Sequence, residues 1–339
     1  MTWESLDWSA LDRLRTGFLS GAVPHGAYWQ SARDLAAYDF TYGERIGWKW
    51  DAVLAELRLR HWSPPREKPL HVLDWGCGSG IAGRRVIDWL GTYRAGTLSV
   101  WDHSALARTF AATRAREQFP ALTAREASQA EEPCDLLVIS HVLNELTAEA
   151  SASLRRCMEQ ARAILWVEPG THEVSRALQK RREELLASFR VIAPCTHQAP
   201  CGMLTPENER HWCHHFAAPP AGVYADSNWV KFGQRAGIDL RSLPYSFLVL
   251  DRSENAPDAS PVTLARVIGR PERFKPYVRL LGCEADGVRE LLVMKRACPQ
   301  LYKELDRAKG PLLYAWRREN THIVSAEPIA AGEPAHELD

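Results

Sequence analysis

The sequence predicts an α/β protein with a Rossmann-like, mostly parallel sheet at its centre. From about residue 70 onward, short apolar runs alternate with segments of helical length, and this alternation is typical of a parallel sheet with helices on both faces. A glycine-rich turn at 76–80 follows the first apolar run, as it often does between the first strand and the first helix of such a sheet. A helical region before the sheet and a β-rich region after it complete the predicted architecture.

The elements of the sheet domain follow from these apolar patterns. Its predicted strands are 71–74, 98–101, 134–140, 163–168 and 247–250. Its predicted helices are 81–90, 105–118, 147–160 and 174–189. Before the sheet, apolar side chains recur at helical spacing over about 46–60. After it, apolar runs at 265–270, 277–283 and 290–296 are separated by Pro and Gly, which predicts short strands, and 301–307 predicts a short helix.

The chain therefore divides into five predicted regions. They are a helical N-terminal region (1–66), the sheet domain (67–190 and 221–252), a cysteine-rich metal-binding insertion (191–220), a β-rich basic module (261–320) and a disordered tail (325–339).

Charge and composition limit the classes of function. The 339 residues include 42 basic and 42 acidic side chains, so no overall field favours a nucleic acid, and DNA is not an expected partner. Residues 261–320 are locally basic, with 13 Lys and Arg against 7 Asp and Glu. The N-terminal residues do not have the apolar segment of a secretory signal, and no apolar run approaches the roughly 20 residues of a membrane span. We therefore expect a cytoplasmic protein that does not contact a membrane.

The glycine-rich turn carries the most informative motif of the sheet domain. Asp74, Gly76, Gly78 and Gly80 form the pattern D-x-G-x-G-x-G, in which the glycines allow close approach of a nucleotide to the backbone. The pattern resembles motif I of class I S-adenosylmethionine (SAM) dependent methyltransferases, in which an acid precedes the glycines. Asp102 ends the next predicted strand, at the place of an acid that binds ribose hydroxyls. We therefore expect these five residues to bind SAM.

The segment after the strand at 134–140 is less informative. His141, Asn144 and Glu145 follow that strand, so they should reach the edge of the sheet at which ligands bind. Amino-directed methyltransferases of nucleic acids often carry an Asn/Asp-Pro-Pro-aromatic motif here, and this chain does not. No catalytic residue is predicted.

Three cysteines lie in a segment that has few apolar residues with which to form a hydrophobic core. Cys195, Cys201 and Cys213 lie among Pro, Gly and His residues, and in a reducing compartment metal ligation orders such a segment better than disulfides do. A histidine as fourth ligand would suit zinc, whereas a distant cysteine would suit an iron–sulfur cluster. Cys283 is the leading distant cysteine and Cys298 the second. The candidate histidines are His197, His211, His214 and His215.

Together these motifs resemble the methyltransferase-like family of mitochondrial small-ribosomal-subunit assembly factors and their bacterial relatives. The resemblance covers residues 38–309 and rests above all on P-C-T-H-Q-A-P-C at 194–201 followed by H-W-C-H-H-F at 211–216. V-L-N-E-L at 142–146 and V-E-P-G at 167–170 also match.

The resemblance has specific implications for the metal and the partner. It implies a four-iron, four-sulfur (4Fe-4S) cluster held by Cys195, Cys201 and Cys213, with Cys283 carried over as the fourth ligand. It also implies binding to the small ribosomal subunit, with its rRNA as the methyl acceptor.

Two functions follow as hypotheses. The first is a SAM-dependent methyltransferase acting on small-subunit rRNA and stabilised by the cluster. The second is a non-catalytic assembly factor that binds SAM and rRNA without methyl transfer. A small-molecule methyltransferase is disfavoured by the basic module.

Overall fold

The computed structural model describes residues 1–20, 29–64, 68–252, 264–307 and 310–329. An eight-stranded sheet contains β1 (Leu70–Trp75), β2 (Ala95–Trp101), β3 (Thr123–Glu126), β4 (Leu136–Ser140), β5 (Ala163–Pro169), β6 (Arg190–Ala193), β7 (His215–Ala217) and β8 (Leu243–Asp251). A closed barrel contains β9 (Leu264–Arg273), β10 (Tyr277–Glu284), β11 (Gly287–Met294), β12 (Leu313–Glu319) and β13 (His322–Pro328).

Helices surround both β structures. The α-helices in the described ranges are α1 (Trp8–Ser20), α2 (Ala32–Tyr38), α3 (Glu44–Leu59), α4 (Ile81–Leu90), α5 (Ala105–Gln118), α6 (Ala148–Gln160), α7 (His172–Leu185), α8 (Ser227–Ala236) and α9 (Pro299–Arg307). One π-helical turn, Asp39–Gly43, joins α2 to α3. None of these helices is long and apolar enough to cross a bilayer.

The strand order of the sheet is β3-β2-β1-β4-β5-β8-β6, with β7 paired to β8. The first five of these strands are parallel, and β8 lies antiparallel between β5 and β6. A parallel sheet with one inserted antiparallel strand is the sheet of class I SAM-dependent methyltransferases, so the predicted fold class is confirmed. Strands β3, β6 and β7 were not predicted, because each has only three or four residues and so carries little periodic signal.

Two apolar layers cover the faces of the sheet. Val72 belongs to the layer that also holds Trp50 of α3 and Val86 of α4. Its neighbour Leu73 belongs to the other layer, with Leu178 of α7. Successive residues of a strand point to opposite faces, so burial on both faces explains why the central strands are continuously apolar rather than alternating.

The C-terminal module is a five-stranded closed barrel in the order β10-β11-β13-β12-β9. Helix α9 connects β11 to β12, β11 pairs with β13 in parallel, and the other pairs are antiparallel. This is the topology of an OB-fold, a barrel that commonly binds oligonucleotides on its second and third strands. The barrel has its own core, which includes Val267, Leu291 and Ile323.

Two predicted boundaries differ in the structure. Strand β13 runs to Pro328, so its last four residues lie in the region predicted as a disordered tail, because Ile323 and its neighbours complete the barrel. Residues 330–339 of that tail lie outside the described residues. The helix predicted to reach residue 189 ends at Leu185, since β6 begins at Arg190.

A buried charge network joins the N-terminal helices to the cysteine segment and the barrel. Glu56 of α3 accepts hydrogen bonds from Arg60 Nε at 2.9 Å and from Arg266 of β9. Arg60 also donates to the carbonyl oxygens of Ile192, Pro194 and Cys195 at 2.8–3.1 Å. One carboxylate therefore fixes three parts of the chain that are distant in sequence.

Removing that carboxylate should destabilise the whole protein. In Glu56→Ala, two buried guanidinium groups lose the carboxylate that balances their charge, and breaking a buried ion pair in this way costs about 3–5 kcal/mol. Urea denaturation of the full chain measures the change in the free energy of unfolding. Glu319→Ala is the control, because Glu319 pairs with Arg317 at the surface and should change stability by less than about 0.5 kcal/mol. A loss below about 1 kcal/mol in Glu56→Ala would contradict the central role of this network.

Candidate SAM site and cysteine cluster

A cavity of about 510 Å³ opens at the carboxyl ends of β1, β2 and β4. Its walls are the glycine loop after β1, the residues after β2, the loop after β4 and the segment from α2 to α3. Ligands of open α/β sheets bind at this edge, and its volume is that of a typical small-molecule site.

The glycine loop adopts backbone conformations that favour glycine. Gly76, Gly78 and Gly80 have φ values of +70°, +50° and +77°. A Cβ on Gly76 would lie 2.6 Å from Val142, and one on Gly80 would lie 2.7 Å from Ala111. A Cβ on Gly78 would meet no protein atom within 4 Å, and Gly78 lines the cavity. Two glycines therefore allow close packing of the loop, while Gly78 leaves space open on the ligand side.

Asp74 lies beneath the loop and does not line the cavity. Its side chain is fully buried, and Oδ2 accepts a hydrogen bond from the backbone N–H of Gly83 at 3.0 Å. Burial raises the pKa of Asp74 to about 7. Asp74 thus holds the start of α4 against β1, and any effect on a ligand passes through the loop.

Asp102 lines the cavity and supports the loop directly. Its Oδ2 accepts from the N–H of Gly78 at 3.0 Å, and its Oδ1 accepts from the N–H of Ser104 at 2.9 Å. Each carboxylate oxygen has a second lone pair, so Asp102 can still accept hydrogen bonds from ligand hydroxyls. Beside it, Trp101 stacks on Trp75 at 4.9 Å between ring centroids, and both rings line the cavity.

The N-terminal helices contribute a wall that the sequence did not identify. Tyr38, Tyr42, Arg45 and Lys49 all line the cavity. Their spacing of three and four residues puts them on one helical face, and that spacing was the signal available in the sequence. Arg45 Nε is buried and has no hydrogen-bond partner among the described residues, so a positive charge is available for an anionic group of a ligand.

The loop after β4 is held from the neighbouring strand. Glu168 at the end of β5 accepts from the N–H groups of Val142 and Leu143 at 3.1 and 3.2 Å and from Trp166 Nε1 at 2.7 Å. As the sequence predicted, His141, Asn144 and Glu145 reach the cavity. Burial raises the pKa values of Glu145 and Glu168 to about 7.

The four predicted cysteine ligands line one small cavity. Cys195, Cys201, Cys213 and Cys283 surround a space of about 30 Å³ between α7, β8 and the barrel. Burial, and then the charges of the other three cysteines, raises the pKa of Cys213 well above its usual range. Four thiols therefore cannot all ionise here without a compensating positive charge.

Two buried arginines supply positive charge beside the thiols. Arg182 of α7 donates from Nε to Cys195 Sγ at 3.2 Å and is 2% exposed. Although burial opposes it, the neighbouring Cys195 and Cys201 raise the pKa of Arg182. Arg266 approaches from the barrel and donates to the carbonyl oxygen of Pro194 at 2.8 Å.

The alternative ligands lie at the border of this cluster or outside it. His197 Nε2 is 3.6 Å from Cys283 Sγ, and His215 Nε2 is 3.7 Å from Cys213 Sγ. His214 stacks on a tryptophan instead, and Cys298 belongs to the barrel core. In the described ranges, no group of three or more Cys, His, Asp or Glu side chains has the arrangement that holds a metal ion.

Comparison with known proteins gives one family and several distant structural likenesses. The family model described as mitochondrial small ribosomal subunit Rsm22 matches residues 34–312. The comparison with curated proteins found no match.

Three solved structures illustrate the distant likenesses. A putative RNA methyltransferase from Pyrococcus horikoshii is 12% identical, with 60% of this chain and 84% of that chain covered and a TM-score of 0.37. The 16S rRNA methylase RmtB is 12% identical, with 73% and 76% covered and a TM-score of 0.37. M. capricolum TrmK, solved with S-adenosylhomocysteine, is 8% identical, with 59% and 68% covered and a TM-score of 0.32.

Filling the open space at Gly78 should abolish SAM binding without unfolding the chain. In Gly78→Val the side chain projects into the cavity, and its positive φ adds strain of about 1–2 kcal/mol. Calorimetric titration with SAM should show no saturable binding, while the unfolding transition is retained. Gly222→Val is the matched control, because a Cβ there also meets no atom within 4 Å. Wild-type affinity in Gly78→Val would refute the assigned pocket.

Proposed function

The chain belongs to the mitochondrial small ribosomal subunit Rsm22 family, and from that membership we propose that it transfers a methyl group from SAM to small-subunit rRNA. It is a methyltransferase-like protein in fold. The observation that carries the proposal is the cavity at the sheet edge, where the glycine loop, Asp102 and the aromatic pair converge.

The residues of the cavity fit SAM. The open space at Gly78 admits a ligand to the backbone, and Asp102 can accept hydrogen bonds from ribose hydroxyls. The positive charge of Arg45 on the cavity wall suits a carboxylate. When bound, SAM supplies an activated methyl group, and the residues around it position the acceptor and exclude water.

The OB-fold barrel supports RNA as the partner. Phe274 is 38% exposed and stacks on Tyr277 at 4.8 Å between ring centroids. The guanidinium of Arg279 lies 5.6 Å from the Phe274 ring, and Lys275 is exposed beside it. Exposed rings among cations are the means by which OB-folds hold single-stranded nucleic acid.

The proposed activity is tested by binding and by transfer. Calorimetry of anaerobically purified protein should show saturable SAM binding, weakened about 10- to 100-fold in Asp102→Ala, because hydrogen bonds to a charged group contribute about 1.5–3 kcal/mol. With methyl-labelled SAM and immature small subunits, label should enter rRNA. A protein that binds SAM but leaves the rRNA unlabelled would be the non-catalytic assembly factor instead, a reading favoured by the absent Asn/Asp-Pro-Pro-aromatic motif after β4. A protein that does not bind SAM would refute both functions.

We also propose that Cys195, Cys201, Cys213 and Cys283 hold a 4Fe-4S cluster. Four thiols around one cavity match the four cysteine ligands of such a cluster. The buried guanidinium groups of Arg182 and Arg266 suit the negative charge of a thiolate-bound cluster.

The proposed role of this group is structural. Three of the cysteines belong to the segment between β6 and β8, and Cys283 belongs to β10 of the barrel. A cluster on these four thiols would link the barrel covalently to the sheet domain. With every iron position held by cysteine, no redox step is required of it.

Cysteine variants test the ligand set. Cys213→Ser should lose most of the bound iron and lower the thermal midpoint of the full chain, because metal ligation contributes folding free energy. Cys298→Ser is the control, since this cysteine is buried in the barrel core, and it should keep its iron. Elemental analysis of anaerobically purified protein distinguishes iron from zinc. A full metal complement in Cys213→Ser would contradict the assignment.

A further inference from the structure

A lysine and a histidine from different parts of the chain meet inside the SAM cavity. Lys49 of α3 places Nζ 3.1 Å from Nε2 of His141, the first residue after β4. Both side chains line the cavity together with Gly76, Gly78 and Asp102. Each is partly exposed, and the exposed part faces the cavity.

The histidine is fixed by a second hydrogen bond. Its Nδ1 lies 3.3 Å from Ser140 Oγ, and Trp50 Nε1 donates to the same hydroxyl at 3.0 Å. With Nδ1–H donating to Ser140, Nε2 accepts from Lys49, so the lone pair of a neutral Lys49 amine is left free. Trp50 is fully buried, which makes the support of the pair rigid.

The surroundings allow Lys49 to lose its proton near pH 7. Burial, and then the charge of Arg45 on the same helix, lowers the pKa of Lys49 to about 7, against the opposing attraction of Glu168 on β5. Burial, and then Lys49 itself, lowers the pKa of His141 well below its usual range. Glu145 is the further acid on this wall of the cavity, and burial raises its pKa to about 7.

The backbone at His141 points to the same conclusion. Its φ is +57°, a left-handed conformation that is uncommon for residues other than glycine, although histidine adopts it more often than most. Strained residues of this kind cluster at ligand sites. No carboxylate of the described residues forms an ion pair with Lys49. The loop after β4 donates to Oε1 of Glu168, and Oε2 of Glu168 is buried without a hydrogen-bond partner among the described residues. A purely structural role leaves this arrangement unexplained.

We propose that Lys49 is the base that takes the proton from the methyl acceptor and that His141 is a positioning residue that orients its amine. The inference rests on the proposed methyl transfer. An acceptor nitrogen or oxygen that carries a hydrogen attacks the methyl carbon of SAM. The carbon–sulfur bond breaks with its electron pair left on sulfur, the new bond to carbon forms, and the acceptor proton moves to Lys49 Nζ. His141 then accepts a hydrogen bond from the resulting ammonium.

The first test separates chemistry from binding. Single-turnover transfer to immature small subunits should fall about 100-fold in Lys49→Met, because general base catalysis contributes about 10²–10⁴-fold, while calorimetric SAM affinity changes less than about threefold. The wild-type rate should rise with pH up to about 7 as Lys49 loses its proton, and this rise should vanish in Lys49→Met. His141→Asn should lower the transfer rate less than Lys49→Met does, and it should shift the pH at which the rate rises.

Lys303→Met is the control, since Lys303 is exposed on α9. Digestion of labelled rRNA to nucleosides tells a nitrogen acceptor from an oxygen one.

The second test does not depend on activity. Sinefungin carries an amine where SAM carries its methyl group, so a protonated Lys49 should repel it. Glu145 and Glu168 also titrate near this pH, so the ratio of sinefungin to S-adenosylhomocysteine affinity should fall below pH 7 in both proteins, and more steeply in the wild type than in Lys49→Met. An equally steep fall in the two proteins would overturn the proposal, as would wild-type transfer rates in Lys49→Met. If the wild type binds SAM but transfers no methyl group, the proposed methyl transfer is refuted, and the role of Lys49 as its base is refuted with it.

Discussion

The contact of Glu56 with Arg60 and Arg266 is the constraint on which the arrangement of the modules depends. The sheet and the barrel have separate cores, and buried polar groups must be satisfied wherever the two meet. Glu56 satisfies two guanidinium groups, and Arg60 then satisfies three carbonyl oxygens at the start of the cysteine segment. Helix, segment and barrel are fixed at one point because separating them would leave these guanidinium groups without their carboxylate.

Helix α3 serves the cavity and the cysteine cluster at once. Lys49 lines the cavity, and Glu56 lies seven residues later on the same helix, a rise of about 10 Å. The helix also buries Trp50 and Leu57 in the sheet core. Apolar packing therefore sets the position of the helix, and this in turn fixes where Lys49 and Glu56 lie. A site assembled on a packed helix is held more rigidly than one assembled on loops.

The cavity is bordered by carboxyl groups whose charge is costly. Burial raises the pKa values of Glu145, which lines the cavity, and of Glu168, which is buried behind the loop after β4, to about 7, so near neutral pH each is close to half protonated. A ligand that carries a positive charge would favour their ionised forms, and by linkage the ionised forms would favour that ligand. The wall on the α3 side has the opposite character, with Arg45 and Lys49. The two walls thus present different charge to the two ends of a bound molecule.

The sequence by itself determined the sheet and the position of its loop. The continuous apolar strands, the glycines with positive φ and Asp102 after β2 are determined by residues close together in sequence. Such local patterns can be predicted from the sequence alone. The OB-fold was seen only as short strands, because barrel closure depends on pairings such as β9 with β12, which periodicity does not encode. Asp74 was misplaced in the opposite way. Its position in the motif predicted a ligand contact, whereas in the structure its carboxylate is buried and accepts a hydrogen bond from the N–H of Gly83.

The meeting of Lys49 with His141, 92 residues apart, and of Cys283 with three cysteines of another segment was likewise decided by the tertiary structure. Only the folded chain brings such side chains within contact distance. The cysteine spacing could propose a set of ligands, but not which thiol or imidazole faces the cavity. That choice follows from the docking of the barrel on the sheet, since the buried charges of Glu56, Arg182 and Arg266 can be satisfied only with their partners in place.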